Sequence, residues 1–191
     1  YQAAVIGKQM YEEEHPDDGR KIHIFSSDTA AAGQLNLCMA IQDLKELGKS
    51  FDEVVTLVSE KIQTMKTYFV LESLDTLRKN GRLSTVKAFI ASALNIKPIM
   101  AGDHGVIVQV ENQRGINKAL KRMAQIAVEK VGGPMKTADL RLCITHVNNP
   151  DRAELVKEEF QKLASFRDIV ITDAMGVATV YAEDGGIVIG L

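Results

Sequence analysis

No run of apolar residues in this 191-residue chain approaches the roughly 20 needed to carry a helix across a bilayer, so stable membrane insertion is not expected. Neither sign of charge dominates: 23 Lys and Arg stand against 25 Asp and Glu, a formal net charge of -2. That balance removes the electrostatic argument for a nucleic-acid partner or an anionic membrane surface. Cysteine is scarce. Cys38 falls in an apolar helical pattern and Cys143 in a strand-like run, so both are expected as buried free thiols, suited to a reducing cytoplasm. The opening "YQAAVIGKQMYEEE" has neither an initiator methionine nor the regions of a signal peptide, which predicts a chain cropped from a longer one.

Catalytic signatures are missing as well. "GGPMK" places proline where a phosphate-binding loop needs backbone amides, and it lacks the Lys-Ser/Thr pair. No G-x-G-x-x-G follows a strand, and G-x-S-x-G, H-E-x-x-H and paired C-x-x-C do not occur. His15, His23, His104 and His146 are scattered without metal-ligand spacing, so no metal and no cofactor are expected. His104 reads as a solvated turn residue, and His146 as a structural hydrogen-bond partner more readily than a cleft residue. The pairs Asp17–Asp18 and Glu12–Glu14 read as solvated charge. These residues assemble no enzyme.

What is present is a globular composition, 46% apolar and 25% charged. Residues 1–14 carry an amphipathic helical pattern that "HPDDG" ends. "KIHIF" reads as a short strand. Leu37, Cys38, Ile41, Leu44 and Leu47 keep helical spacing up to Gly48, and Phe51 to Met65 gives a third helix with Ser50 and Glu53 as a capping box. One strand among three helices leaves its backbone polar groups without neighbours.

From about Thr67 strands become frequent: "TYFVL", "IKPIMA", "GVIVQVE", "LRLCITHV", "DIVITD" and "GGIVIGL". "GDHG" predicts an antiparallel hairpin between the second and third. The spacing of Ile116, Ala119, Leu120, Met123, Ile126 and Ala127 predicts one helix. That of Leu155, Val156, Phe160 and Leu163 predicts another, with Asn149 as cap and Pro150 in its first turn. The expected fold class is α/β, with a two-layer portion built on a six-stranded mixed sheet with helices on one face.

One joint stands out, in "ESLDTLRKNGRLSTVKAFIASALNIKPIM". Leu71, Leu74 and Leu77 share a helical face. Asn80 or Gly81 suits the left-handed residue that ends such a helix, and Ser84 suits the cap of a second helix with core face Val86, Phe89, Ile90 and Leu94. Arg82 is thereby fixed at a corner beside a helix N-terminus, where positive charge favours an anion. A purely structural arginine, tied to a carboxylate or to helix carbonyls, is the alternative.

"LDTLRKNGRLS", "LNIKPIM" and "DHGVIVQVENQRGINKAL" together resemble the DegV family signature: L-x-x-L-x-x-G-G-R-[IL]-[S], L-x-I-K-P-[IL], and a d-G-x-[IV] strand leading to R-G-x-x-K-A. "YQAA" resembles the tail of its S-G-T-Y-Q-S-A segment, and "IHIFSSDTAAAGQ" its v-D-S-x-x-x-S-x-G-x-G loop. The resemblance implies the C-terminal part of a truncated three-layer lobe with a parallel sheet over residues 1–66, and a whole two-layer lobe over 67–191. It also implies a cytoplasmic bacterial protein that holds a long-chain fatty acid between its lobes. A separate fatty acid kinase ATP-binding subunit would perform the phosphoryl transfer, so the chain itself would be no enzyme. A dihydroxyacetone-kinase-like enzyme and an interaction module that has lost its ligand are the other readings. Exposed strand edges of such a fragment can drive dimerisation.

By the resemblance Arg82 belongs to the head-group network or the partner surface, with Ser84 and Thr85 as further polar candidates. Phe89, Ile90, Ala93 and Leu94 are candidates for the tail, and Arg114–Gly115 for a partner surface or a structural junction. The chain also departs from the family pattern. Ser26 stands at a frequent aspartate and Ala31 at a frequent serine. In "YAEDGGIVIGL", Tyr181 takes the place of the histidine of H-x-G-P-G and the proline is lost. A tyrosine donates a hydrogen bond there but brings no positive charge near neutral pH.

Overall fold

The computed structural model describes residues 1–83 and 95–191. The expectations for Ser84, Thr85, Val86, Phe89, Ile90, Ala93 and Leu94 lie outside the described residues. The chain divides into two units, Tyr1–Ser27 with Leu37–Thr64, and Asp28–Asn36 with Met65–Leu191.

The first unit holds α1 (Gln2–Glu14), most of α2 (Ala32–Glu46) and α3 (Phe51–Thr64). α3 begins on the expected reciprocal cap. The Ser50 amide donates to Glu53 Oε2 at 2.9 Å, and the Glu53 amide donates to Ser50 Oγ at 3.4 Å. Two expectations fail here. Residues 21–25, "KIHIF", join no β-ladder: with no second strand described in this unit, their backbone groups have nothing to pair with. Cys38 is exposed, because it lies about 100° around α2 from the buried Leu37; Cys143 is buried as expected.

The second unit is built on a six-stranded mixed sheet. Its strands are β1 (Thr67–Val70), β2 (Ile96–Asp103), β3 (Val106–Arg114), β4 (Arg141–His146), β5 (Asp168–Asp173) and β6 (Ile187–Gly190), in the spatial order β3-β2-β1-β6-β4-β5. β2 and β3 form the expected antiparallel hairpin, with a register shift at Ile99/Met100. β1 pairs antiparallel with β2 and β6, β6 antiparallel with β4, and only the β4–β5 pair is parallel. A parallel pair needs a crossover, and α6 (Pro150–Leu163) supplies it, capped by Asn149 Oδ1 accepting the Arg152 amide at 3.1 Å.

α5 (Ile116–Lys130) and α6 cover one face of the sheet. Leu120, Met123, Ala127, Val156 and Phe160 pack with Val70, Ile99, Ile144, Ile187 and Ile189 into one core. β1, β4 and β6 are buried throughout, which requires both faces to be covered. Asp28–Asn36 contributes to the second face. Asn36 Nδ2 donates to the carbonyls of Arg141 at 2.8 Å and Gly190 at 3.1 Å. Gly33 approaches Gly190 so closely that a Cβ on Gly190 would lie 2.6 Å from its backbone. Two short helices, α4 (Asp75–Lys79) and α7 (Val177–Ala182), sit beside each other at the edge of this framework.

Candidate head-group site at the turn after α4

Leu77 buries α4 against the unit, and the helix then ends within one turn. Gly81 donates to Arg78 O at 3.1 Å and Arg82 donates to Leu77 O at 2.9 Å, the two bonds of a Schellman cap. Gly81 takes the left-handed residue of that cap at φ 68, a conformation that costs glycine nothing. Asn80 Nδ2 adds a bond to Thr76 O at 2.8 Å. Arg82 therefore has a backbone held by the cap, with buried Leu83 next to it. Its side chain is exposed, and its guanidinium has no ion pair among the described residues.

Tyr181 lies half-buried in α7. A hydrogen bond joins the end of its helix to α4, the Thr76 amide donating to Glu183 Oε1 at 3.1 Å. Glu183 ends α7 at φ 56 and ψ 176, a combination of the region that glycine dominates. By the resemblance it stands where the H-x-G-P-G pattern has its first glycine.

The rest of the turn is pinned. Asn148 Nδ2 donates to Asp184 Oδ1 at 3.0 Å, the Gly185 amide to Val147 O at 2.9 Å, and Gly186 to Glu183 O at 3.2 Å. Arg152 Nη1 donates to the Gly185 carbonyl, and Nη2 to Glu72 Oε1 at 2.8 Å. Lys97 Nζ reaches the other oxygen of Glu72 at 2.5 Å and the Glu72 carbonyl at 2.8 Å. Burial pushes the Glu72 carboxyl up, but the hydrogen bonds from Lys97 and Arg152, with their charges, outweigh it and hold it below its ordinary value.

Arg114 and Gly115 stand at the same end of the sheet. Arg114 is exposed opposite Ile96, one residue before Lys97. Gly115 opens α5 at φ 86 and ψ 147, and its amide donates to Asn95 O at 2.8 Å, so it forms the structural corner of the R-G pair. His146 is buried with Nδ1 accepting the Asn149 amide at 3.4 Å and 3.5 Å from Asp173, the structural hydrogen bond that its position predicts. Among the described residues no group of three or more His, Cys, Asp or Glu could hold a metal ion, and no helix is long and apolar enough to cross a membrane.

The sequence singles out Arg82 after α4 and Tyr181 in α7 as candidates. Sequence reasoning missed Glu72, Arg152 and Glu183, for which spacing gave no signal: Arg152 and Glu72 lie 80 positions apart. Lys97 lay within the quoted "LNIKPIM" motif but carried no assigned role.

The whole chain, residues 1–191, matches the family described as uncharacterised protein, DegV family. A DegV domain-containing protein from Streptococcus pneumoniae is 31% identical over 192 residues, covering 100% of this chain and 66% of that relative. A DegV family protein from Ruminococcus gnavus, solved with vaccenic acid, matches with a TM-score of 0.93 and 42% identity over 100% of this chain and 66% of its own. The fatty acid kinase B3 protein of Streptococcus pneumoniae, loaded with linoleic acid, matches with a TM-score of 0.81 and 30% identity, over 99% of this chain and 65% of its own. The chain thus spans just under two thirds of the length of these relatives. With motif order, sheet and whole-length match in agreement, the chain belongs to the DegV family.

Proposed function

We propose that this chain is the greater part of a cytoplasmic lipid-binding protein. It holds a long-chain fatty acid and presents the carboxylate to a separate ATP-binding kinase subunit, performing no catalysis itself. Residues 1–66 would be the C-terminal part of a first lobe and 67–191 a second lobe. The observation that carries the reading is the likeness, at 42% identity, to a family member solved with vaccenic acid. The exposed Arg82 guanidinium, on a fixed backbone and without an ion pair among the described residues, supports it as the head-group or partner contact. Ser84, Thr85 and Tyr181 are its polar companions in this proposal, and Phe89, Ile90, Ala93 and Leu94 contact the tail.

The energetics suit a carrier. Each buried methylene is worth about 0.8 kcal/mol, so a sixteen-carbon tail gains on the order of 12 kcal/mol gross. The apolar lining then provides affinity while a few donors provide orientation. Native mass spectrometry of the full-length protein purified from bacteria tests the reading. A fatty acid adduct, or uptake of added oleate or palmitate, is expected. Repeated recovery of lipid-free protein that takes up neither would overturn it.

A further inference from the structure

The geometry points to Arg152 and Glu72 as positioning residues for head-group recognition, acting without touching the ligand; the inference rests on the fatty-acid reading above. Glu72 lies between β1 and α4, three residues before the helix whose cap carries Arg82. Gly185 lies in the turn that leaves α7 just after Tyr181. The Arg152 fork bridges the two, with one nitrogen on the Glu72 carboxylate and the other on the Gly185 carbonyl. A planar guanidinium sets both direction and spacing in a way that an ammonium cannot.

Each part of this bridge is itself held. Lys97, from the start of β2, occupies the second Glu72 oxygen, and the Lys97 and Arg152 side chains are each only 16% exposed. A Cβ at Gly185 would lie 2.7 Å from Arg152 Nη1, so the arginine sits flush against the turn. The Thr76–Glu183 bond is a second tie between the same two elements. α4 and the α7–β6 turn are therefore set at a fixed separation, and that separation decides whether Arg82 and Tyr181 can address one head group together. A recognition group needs such support, because a displacement of about 1 Å already weakens an oriented contact severely.

The test uses the full-length protein and two ligands of equal tail length, palmitate and hexadecanol, whose dissociation constants are measured side by side. Their ratio isolates the head group, since the tail contribution cancels. Arg82→Ala is expected to abolish the preference for the acid. Glu72→Gln, which is near-isosteric, and Arg152→Lys, which keeps the charge but loses the fork, are each expected to lower it about tenfold, the size of one charge-assisted hydrogen bond, with hexadecanol binding unchanged. If the preference is lost in Arg82→Ala yet intact in Glu72→Gln and Arg152→Lys, the positioning role is overturned and the fatty-acid reading stands. If the two variants weaken both ligands equally, the network is merely structural and the proposal fails. If the unmodified protein shows no preference for the acid, the fatty-acid reading is overturned and the positioning role falls with it.

Discussion

Glu183 caps a helix to which it does not belong: its Oε1 accepts the Thr76 amide in the first turn of α4, while its own backbone holds φ 56 and ψ 176. Two opposed energies meet in one residue. The side chain satisfies an amide that helix geometry leaves open, and the main chain adopts a shape that side chains resist.

Separating those energies gives a first prediction. Glu183→Ala removes the cap and keeps the backbone cost, so it is expected to destabilise the fold by about 1 kcal/mol. Glu183→Gly loses the same cap but relieves a conformational cost of about 1–3 kcal/mol, so it should be the more stable of the two variants. Urea denaturation of both beside the unmodified protein checks the order.

Arg82→Ala is expected to change unfolding stability by less than about 0.5 kcal/mol, as for other surface substitutions that leave caps and cores intact. The cap at this turn is made by the backbone of Gly81 and Arg82, which alanine retains. Retention of a bound fatty acid should nonetheless fall. Thermal melting together with native mass spectrometry reads both effects.

Gly115→Ala is expected to cost about 1–3 kcal/mol, because φ 86 with ψ 147 lies in the region that glycine dominates and side chains enter only under strain. Collision contributes little, since the nearest atom to the new Cβ would be Asn95 Nδ2 at 3.6 Å. Arg114→Ala, one residue earlier and exposed, should leave stability nearly unchanged. Denaturant midpoints of the two variants distinguish the halves of this motif.

The capping box of α3 predicts an acid-side dependence. The Ser50 amide, followed by Lys49 and the Ser50 hydroxyl, lowers the Glu53 carboxyl to about 2. A carboxyl lowered by folding stabilises the native state above its unfolded value, near 4.5, and that contribution disappears as pH falls through about 2. The stability difference between the unmodified protein and Glu53→Gln should therefore be constant near neutrality and shrink over that acid window. Hydrogen exchange of the α3 amides across the pH series measures it.

All six strands were legible in the sequence, because alternation and continuous β-branched runs survive into the sheet. So were the caps at Ser50, Gly81 and Asn149, where side-chain chemistry acts within a few residues. "KIHIF" was misread for the complementary reason: its strand-like composition is local, but strand formation needs a partner. Cys38 shows the limit of helical periodicity, which fixes the sulfur's face only to within a turn. The Glu72–Arg152–Lys97 network was invisible, since it forms only once β1, β2, α6 and the α7–β6 turn have converged. The motifs named Arg82; the reason its backbone is fixed came from the turn geometry.

β6 is the keystone of the sheet, pairing with β1 on one side and β4 on the other, with no other ladder between those halves among the described residues. The β3-β2-β1 and β4-β5 blocks can each assemble early, but they cannot be sealed until residues 187–190 have left the ribosome. Until then the chain exposes two raw edges rich in β-branched residues, the surfaces on which nascent proteins most readily stick to one another. Contacts of such high order also fold slowly. Synthesis that stalls before Ile187 should accordingly yield aggregate.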